Sequence, residues 1–293
     1  MLILPNNLPI AETLSEEGFI VGFSPLGRYE DGVQHVLFLN LMPEREKTEL
    51  DITRMVAPAA EKRDIQLHFV RFKGHFSKTT PREHIEAYYE EIDFDDMPKN
   101  VDKLIISGAP LEEVDYEDVR YWAEFKQLSK WANDGGVTWT LNLCWAAFAT
   151  LYNHYGIPMR HIPAKRFGLY PHTVTESPIM KGISEGVLIP TSRHIELFHE
   201  DIAAVKHLQI VADSQDAGPG IIVDEPHHEI DIVGHLEYGR LVLHNEYIRD
   251  LAKNKPIQPA THYYIYGAEA KPENVEHSWY EDSLKFYENF LNL

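Results

Sequence analysis

The hydrophobic positions of this chain fall into short continuous runs separated by stretches of helical spacing. Val36-Leu37-Phe38-Leu39-Asn40-Leu41 is apolar almost throughout and is closed by Pro43, the pattern of a strand buried on both faces. Residues 46–62 then carry Leu50, Ile52, Met55, Val56, Ala59 and Ala60 at helical spacing, with Pro58 expected to kink or shorten the helix. Ile65-Gln66-Leu67-His68-Phe69-Val70 predicts a second strand. A basic loop follows at 73–80, and Pro81 opens a helix to about residue 91. Val101-Asp102-Lys103-Leu104-Ile105-Ile106-Ser107 predicts a third strand, and 116–133 an amphipathic helix stopped at Gly135-Gly136. A fourth strand, starting at Val137, runs into Cys144 and then a helix from Trp145 to about Tyr155. Strand and helix in alternation predict an α/β fold, a three-layer, mostly parallel sheet with helices on both faces.

Outside this core the pattern weakens. Residues 1–34 hold Pro5, Pro9, Pro25 and four glycines with no sustained period, and predict an N-terminal arm wrapping the domain or a partner. Residues 35–293 are then a single α/β domain. Residues 156–206 are proline-rich, with 164–168 and 190–194 as polar insertions between short strands. Segments 208–212, 220–223 and 230–233 read as a β-meander, 239–253 as a helix, and 254–277 as irregular. The last segment, 278–291, is an amphipathic helix with Trp279, Leu284, Phe286, Tyr287, Phe290 and Leu291 able to face inward.

A net charge of −19 argues against nucleic acid, whose phosphates need Lys and Arg, and against an anionic membrane surface. No apolar run approaches a bilayer's thickness and no basic leader precedes one, which predicts a cytoplasmic protein. A single cysteine makes neither an internal disulfide nor a thiolate cluster. Sixteen histidines invite a search for metal, but none has the spacing of a zinc-binding helix. His227-His228 beside Glu225 and Glu229 reads as a polar turn, and no metal is expected.

That one cysteine sits on the strand-to-helix turn Leu143-Cys144-Trp145, where a thiol is held clear of the sheet and faces the positive helix end. From the turn alone, a nucleophile and an inert buried thiol are equally good readings. Two other stretches also end predicted strands: Gly108-Ala109-Pro110 and His235-Leu236-Glu237. In an open α/β sheet that edge binds ligands. His235 as base and Glu237 as its orienting carboxylate complete a nucleophile–base–acid set. The N–H groups of Trp145 and of the loop around Leu111-Glu112 are candidates for an oxyanion hole. This combination points to acyl transfer.

The chain resembles the homoserine O-acyltransferases of the homoserine trans-succinylase type, in the class I glutamine-amidotransferase-like (flavodoxin-like) superfamily. The resemblance rests on Phe38-Leu39-Asn40-Leu41-Met42-Pro43, Lys47-Thr48-Glu49, Gly74-His75, Ser107-Gly108-Ala109-Pro110, Cys144-Trp145, Tyr155-Gly156-Ile157-Pro158, Ser192-Arg193, Gly234-His235, Glu237-Tyr238 and Glu246-Tyr247. It implies Cys144 as the acyl-accepting nucleophile, His235 as base and Glu237 as its orienter. It further implies Lys165, Ser192, Arg193 and Arg249 at the acceptor or acyl site, with Arg249 expected to clamp the acceptor's carboxylate. Without the resemblance, Lys165 would read as a solvated surface group and Arg249 as one half of a helix ion pair. Glu112 stands where glutamate marks acetyl transferases and glycine succinyl transferases, because a carboxylate repels succinate's free end. The expected co-substrates are acetyl-CoA and L-homoserine, with no permanently bound cofactor and a homodimer as the assembly.

Departures from the family pattern lie on the acceptor side: Thr191, Leu236, Gly239, Leu50-Asp51 and a missing arginine after Trp279. They keep L-serine, one methylene shorter, close behind as acceptor. A glutamine-amidotransferase domain, or a non-enzymatic binding module on the same fold, are the alternatives outside acyl transfer.

Overall fold

The computed structural model describes residues 1–293 as one large mixed sheet with helices on both faces. In spatial order its strands are Val21–Ser24, Leu2–Pro5, Ile65–Arg71, Gln34–Leu39, Lys103–Ile106, Trp139–Leu143, Glu229–Ile232, Gly218–Asp224, Leu208–Ser214, Arg160–Val174 and Val187–Glu196. Pairing is parallel from the first of these through Glu229–Ile232 and antiparallel beyond it. The short strand Glu90–Glu91 adds to Ile65–Arg71.

Side-chain alternation sends each strand's residues to two cores. Val36 and Phe38 join a cluster with Ile52, Met55, Phe286 and Phe290, so the helices Arg45–Val56 and Tyr280–Asn292 cover that face. Leu37 and Leu39 join the opposite cluster with Phe125, Leu128, Trp145 and Phe148, under the helices Trp122–Trp131 and Trp145–Tyr155. The predicted three layers are thus two apolar faces of one sheet. Pro58 shortens its helix as expected: the α-helix ends at Val56 and a 3-10 turn runs Ala57–Glu61. No helix is long and apolar enough to cross a membrane.

Two sequence expectations need correction. Residues 1–34 are not an arm. They supply the strands Leu2–Pro5 and Val21–Ser24 and the helix Ile10–Glu16, and Leu2, Leu4, Leu8 and Leu14 lie in the main core. Strands this short show no period; of the prolines that suggested an arm, Pro5 ends a strand and Pro9 and Pro25 lie in the connections. The argument from a wrapping arm to a homodimer falls with it. Secondly, the polar segments 164–168 and 190–194 are not insertions. They lie within a long antiparallel hairpin, with Phe167 opposite Ser192 and Arg166 opposite Arg193.

The arm and core readings are separated by Leu4→Ala. A buried leucine loses roughly 2–5 kcal/mol of stability on truncation, so the denaturant midpoint should fall clearly. A detached arm would leave it unmoved.

Candidate active site

Parallel pairing places the ends of three strands side by side. Trp139–Leu143 has Lys103–Ile106 on one flank and Glu229–Ile232 on the other, with Leu143 opposite Ile232. The three chains leave the sheet at one edge as Ser107-Gly108, Cys144 and Gly234-His235. The region read as a simple meander therefore does more: its last strand crosses into the parallel sheet beside the cysteine.

Cys144 is buried and adopts φ 50°, ψ −116°, a backbone conformation that costs a non-glycine residue strain. Two contacts hold it. Its N–H donates to Ile232 O at 2.7 Å, and its carbonyl accepts from Ala147 N at 2.9 Å to start the helix Trp145–Tyr155. The turn has the backbone geometry of a nucleophile elbow. The neighbouring chain must come close: a Cβ on Gly108 would lie 3.1 Å from Cys144 Cβ and 3.8 Å from His235 Cε1. Gly234 has the same necessity, since a Cβ there would meet Ile189 Cγ2 at 2.3 Å. Its bareness lets His235 N donate to Pro190 O at 2.8 Å, which fixes the histidine's backbone.

His235 Nδ1 is 2.7 Å from Glu237 Oε1, with both side chains buried. Glu237 thus fixes the ring, and Nε2 is the nitrogen available to the thiol. Burial works to lower the His235 pKa, but the charges of Cys144 and Glu237 outweigh it and raise it well above 6.5. Tyr238 stacks on the imidazole, ring centroids 4.0 Å apart and 11° from parallel.

The two N–H groups expected to form an oxyanion hole, those of Trp145 and Glu112, have no backbone acceptor. Trp145 is the first residue of its helix, so its N–H has no intrahelical acceptor. In the loop, Leu111 N is taken by Ala109 O at 2.9 Å, which leaves the Glu112 N–H as the free donor. The Glu112 side chain accepts from His194 N at 3.0 Å and acts electrostatically on Arg193.

The remaining predicted residues fall into two groups. Arg193 is buried, donates Nη2 to Ala217 O at 2.7 Å, and leaves Nε and Nη1 without partners. It feels the charges of both Cys144 and Glu112. Ser192, half-buried, precedes it on the same strand. Lys165 and Arg249 form the second group around Glu246: Lys165 Nζ lies 2.7 Å and Arg249 Nη2 3.2 Å from Glu246 Oε1. Arg249 Nε also donates to Asp250 Oδ1 at 2.9 Å. Its fork is therefore engaged on two sides, and the expected free carboxylate clamp is not what the structure presents. The helix ion pair is there instead.

Three site residues were not assigned from the sequence. Tyr238 stands between the His235–Glu237 pair and Glu246, for it stacks on the imidazole and its phenol is raised well above its usual range by burial and by the Glu246 and Glu237 carboxylates. Glu246 gathers Lys165 and Arg249. Asp51 approaches Glu237 from the helix Arg45–Val56. Burial first, then the Glu237 carboxylate, pushes its carboxyl up to about 7, against the pull of Arg54 and the Gly239 N–H. Only its place among the departures from the family pattern hinted at it.

The fold is that of class I glutamine amidotransferases. A glutamine amidotransferase from Thermotoga maritima matches at TM-score 0.56 and 13% identity, over 89% of this chain and 97% of that one. A glutamine amidotransferase from Methylobacillus flagellatus matches at TM-score 0.56 and 10% identity, over 89% and 94%. Within that fold, residues 1–293 match the model of the homoserine O-succinyltransferase family, and the chain belongs to that acyltransferase family. Homoserine O-acetyltransferases from Bacteroides fragilis and Bacillus licheniformis are 37% and 34% identical, each over 99% of this chain and 94% and 95% of their own lengths.

Asp51 gives a pH prediction. Its folded pKa lies above the ordinary value near 4, so the native state holds an extra proton between about pH 4 and pH 7 and loses stability as pH rises through that window. Asp51→Asn, which keeps the neutral form, should raise Tm at about pH 8 and much less at about pH 5. An equal change at both would show that the carboxyl does not titrate there.

Proposed function

We propose that the enzyme transfers the acetyl group of acetyl-CoA, through a Cys144 thioester, to the side-chain hydroxyl of L-homoserine, a step of methionine biosynthesis. The observation that carries this reading is the strained Cys144 turn facing a His235 whose other nitrogen is held by Glu237. The family and the relatives' names supply the acyl chemistry and the acceptor class.

In the first half-reaction His235 Nε2 takes the thiol proton and the sulfur attacks the acetyl carbonyl. The oxyanion forms against the Trp145 and Glu112 N–H groups. Collapse breaks the bond to coenzyme A, whose sulfur leaves with the proton from His235. In the second half-reaction the acceptor hydroxyl gives its proton to His235 and attacks the thioester. The Cys144 sulfur departs and recovers that proton, so the enzyme ends as it began. Glu237 keeps the ring in one orientation through both halves. No resident cofactor takes part.

Glu112 sets the donor. Its carboxylate acts on Arg193 and repels a succinyl group's free carboxylate while leaving acetyl unaffected. Arg193, with two unpaired donors, replaces Arg249 as the anchor for the acceptor's carboxylate. Lys165, Ser192 and Arg249 border the same space, with Arg249 acting through Glu246.

Acetyl-CoA alone should add one acetyl to the native protein by intact mass and none to Cys144→Ser. No increment on native protein removes the thioester mechanism, while an increment discharged faster by L-serine than by L-homoserine changes the acceptor only. Glu112→Gly should shift the ratio of kcat/KM values toward succinyl-CoA by roughly ten- to a hundredfold, the usual worth of one pocket contact. An unchanged ratio would remove Glu112 from the acyl pocket.

A further inference from the structure

The edge of the sheet opposite Cys144 holds a second convergence of polar groups, which acyl transfer does not use. His207 precedes the strand Leu208–Ser214, Asp224 ends Gly218–Asp224, and His227 lies in the turn that follows. One ligand atom from each lies within 4.8 Å of the others. His227 Nδ1 is 2.9 Å from Asp224 Oδ2, and His207 Nε2 is 3.7 Å from Asp224 Oδ1. The Tyr155 hydroxyl marks their centre: it bonds to Asp224 and lies 2.8 Å from His207 Nε2 and 2.9 Å from His227 Nδ1.

Two observations point beyond a hydrogen-bonded turn. Asp224 is fully buried, yet its Oδ1 has no hydrogen-bond partner. Glu229 and Asp231, also buried, follow on the next strand, each with one orphaned carboxylate oxygen. Their neighbours are His154 and Asn142, and no lysine or arginine pairs with any of the three acids. A buried carboxylate oxygen left without a partner is costly. Two imidazole nitrogens and a carboxylate oxygen from three segments make the donor set of a borderline divalent ion. His154 supports it from behind, stacked on His227 at 4.5 Å and 4°.

We propose that His207, Asp224 and His227 bind a divalent transition-metal ion of the zinc class, with the Tyr155 oxygen or water in the fourth position. The sequence reading of this turn as merely polar missed it because His207 and Tyr155 are distant in sequence. The ion ties the last residue of the Cys144 helix to two antiparallel strands. That helix has eleven residues, so the ion lies about 16 Å along it from the nucleophile, and its role is structural.

The test uses the full chain carrying Cys144→Ser, so that no active-site thiolate competes for metal. Calorimetric titration of the metal-free protein with zinc chloride should show one equivalent bound, with a raised Tm. Cobalt(II) should give the visible bands of a four-coordinate site. His207→Ala, at an exposed position, and His227→Ala should each weaken binding more than about tenfold and abolish the Tm rise. Binding that survives both substitutions would place the ion elsewhere. Absence of saturable binding would leave a cap of hydrogen bonds around the Tyr155 hydroxyl. Either result overturns the assignment.

Discussion

The structure depends on one hydrogen bond between neighbouring parallel strands, from Cys144 N to Ile232 O. It continues the ladder that pairs Leu143 with Ile232 and takes it one residue past the strand end. Because that N–H is fixed, the chain must turn sharply at Cys144, and the turn forces its backbone to positive φ. The same bond locks the Glu229–Ile232 strand in register, so the residues leaving it, Gly234 and His235, arrive beside the sulfur. Nucleophile and base are thus aligned by main-chain pairing rather than by side-chain fit. Two bare glycines, Gly108 and Gly234, let the neighbouring chains close around them.

This scaffold explains why the charged groups can be so close together. His235 is buried between a sulfur and a carboxylate, and its own desolvation opposes its charge. Glu237 in turn crowds Asp51, which answers by holding its proton up to about 7. Burial and the neighbouring carboxylate thus favour the neutral form of Asp51 below that pH. Tyr238, stacked on the imidazole, carries the network across to Glu246 and its two cations.

Much of this was legible in the sequence, and for identifiable reasons. The nearly continuous apolar run from Val36 marked a strand because strands buried on both faces carry few polar positions. Cys144 was legible because a β-rich run meets small helix-forming residues at a single polar atom. Illegible features needed long-range pairing. Leu2–Pro5 and Val21–Ser24 are too short to show a period, and only their place in the sheet makes them core. Arg166 and Arg193 look like loop residues, yet they pair across a hairpin whose apolar positions are spread over three clusters. The surroundings of Arg249 were not legible either, since its helical partner Glu246 is also the partner of Lys165 from a distant strand.

The acids at the far edge show the limit most clearly. Glu229-Ile230-Asp231-Ile232 alternates polar and apolar residues, the pattern of a half-exposed strand. It is instead a central strand covered on both faces, so each carboxylate is buried. A strand in this place does not retain two acids for its own stability, because apolar residues of similar size would pack there at less cost. The groups that surround them, His154, His207, His227 and the Tyr155 hydroxyl, are all donors or potential ligands gathered from distant segments. Both ends of the Trp145–Tyr155 helix are therefore fixed by polar chemistry. One end is held by the strained turn at Cys144, the other by acids and imidazoles gathered on the Tyr155 hydroxyl.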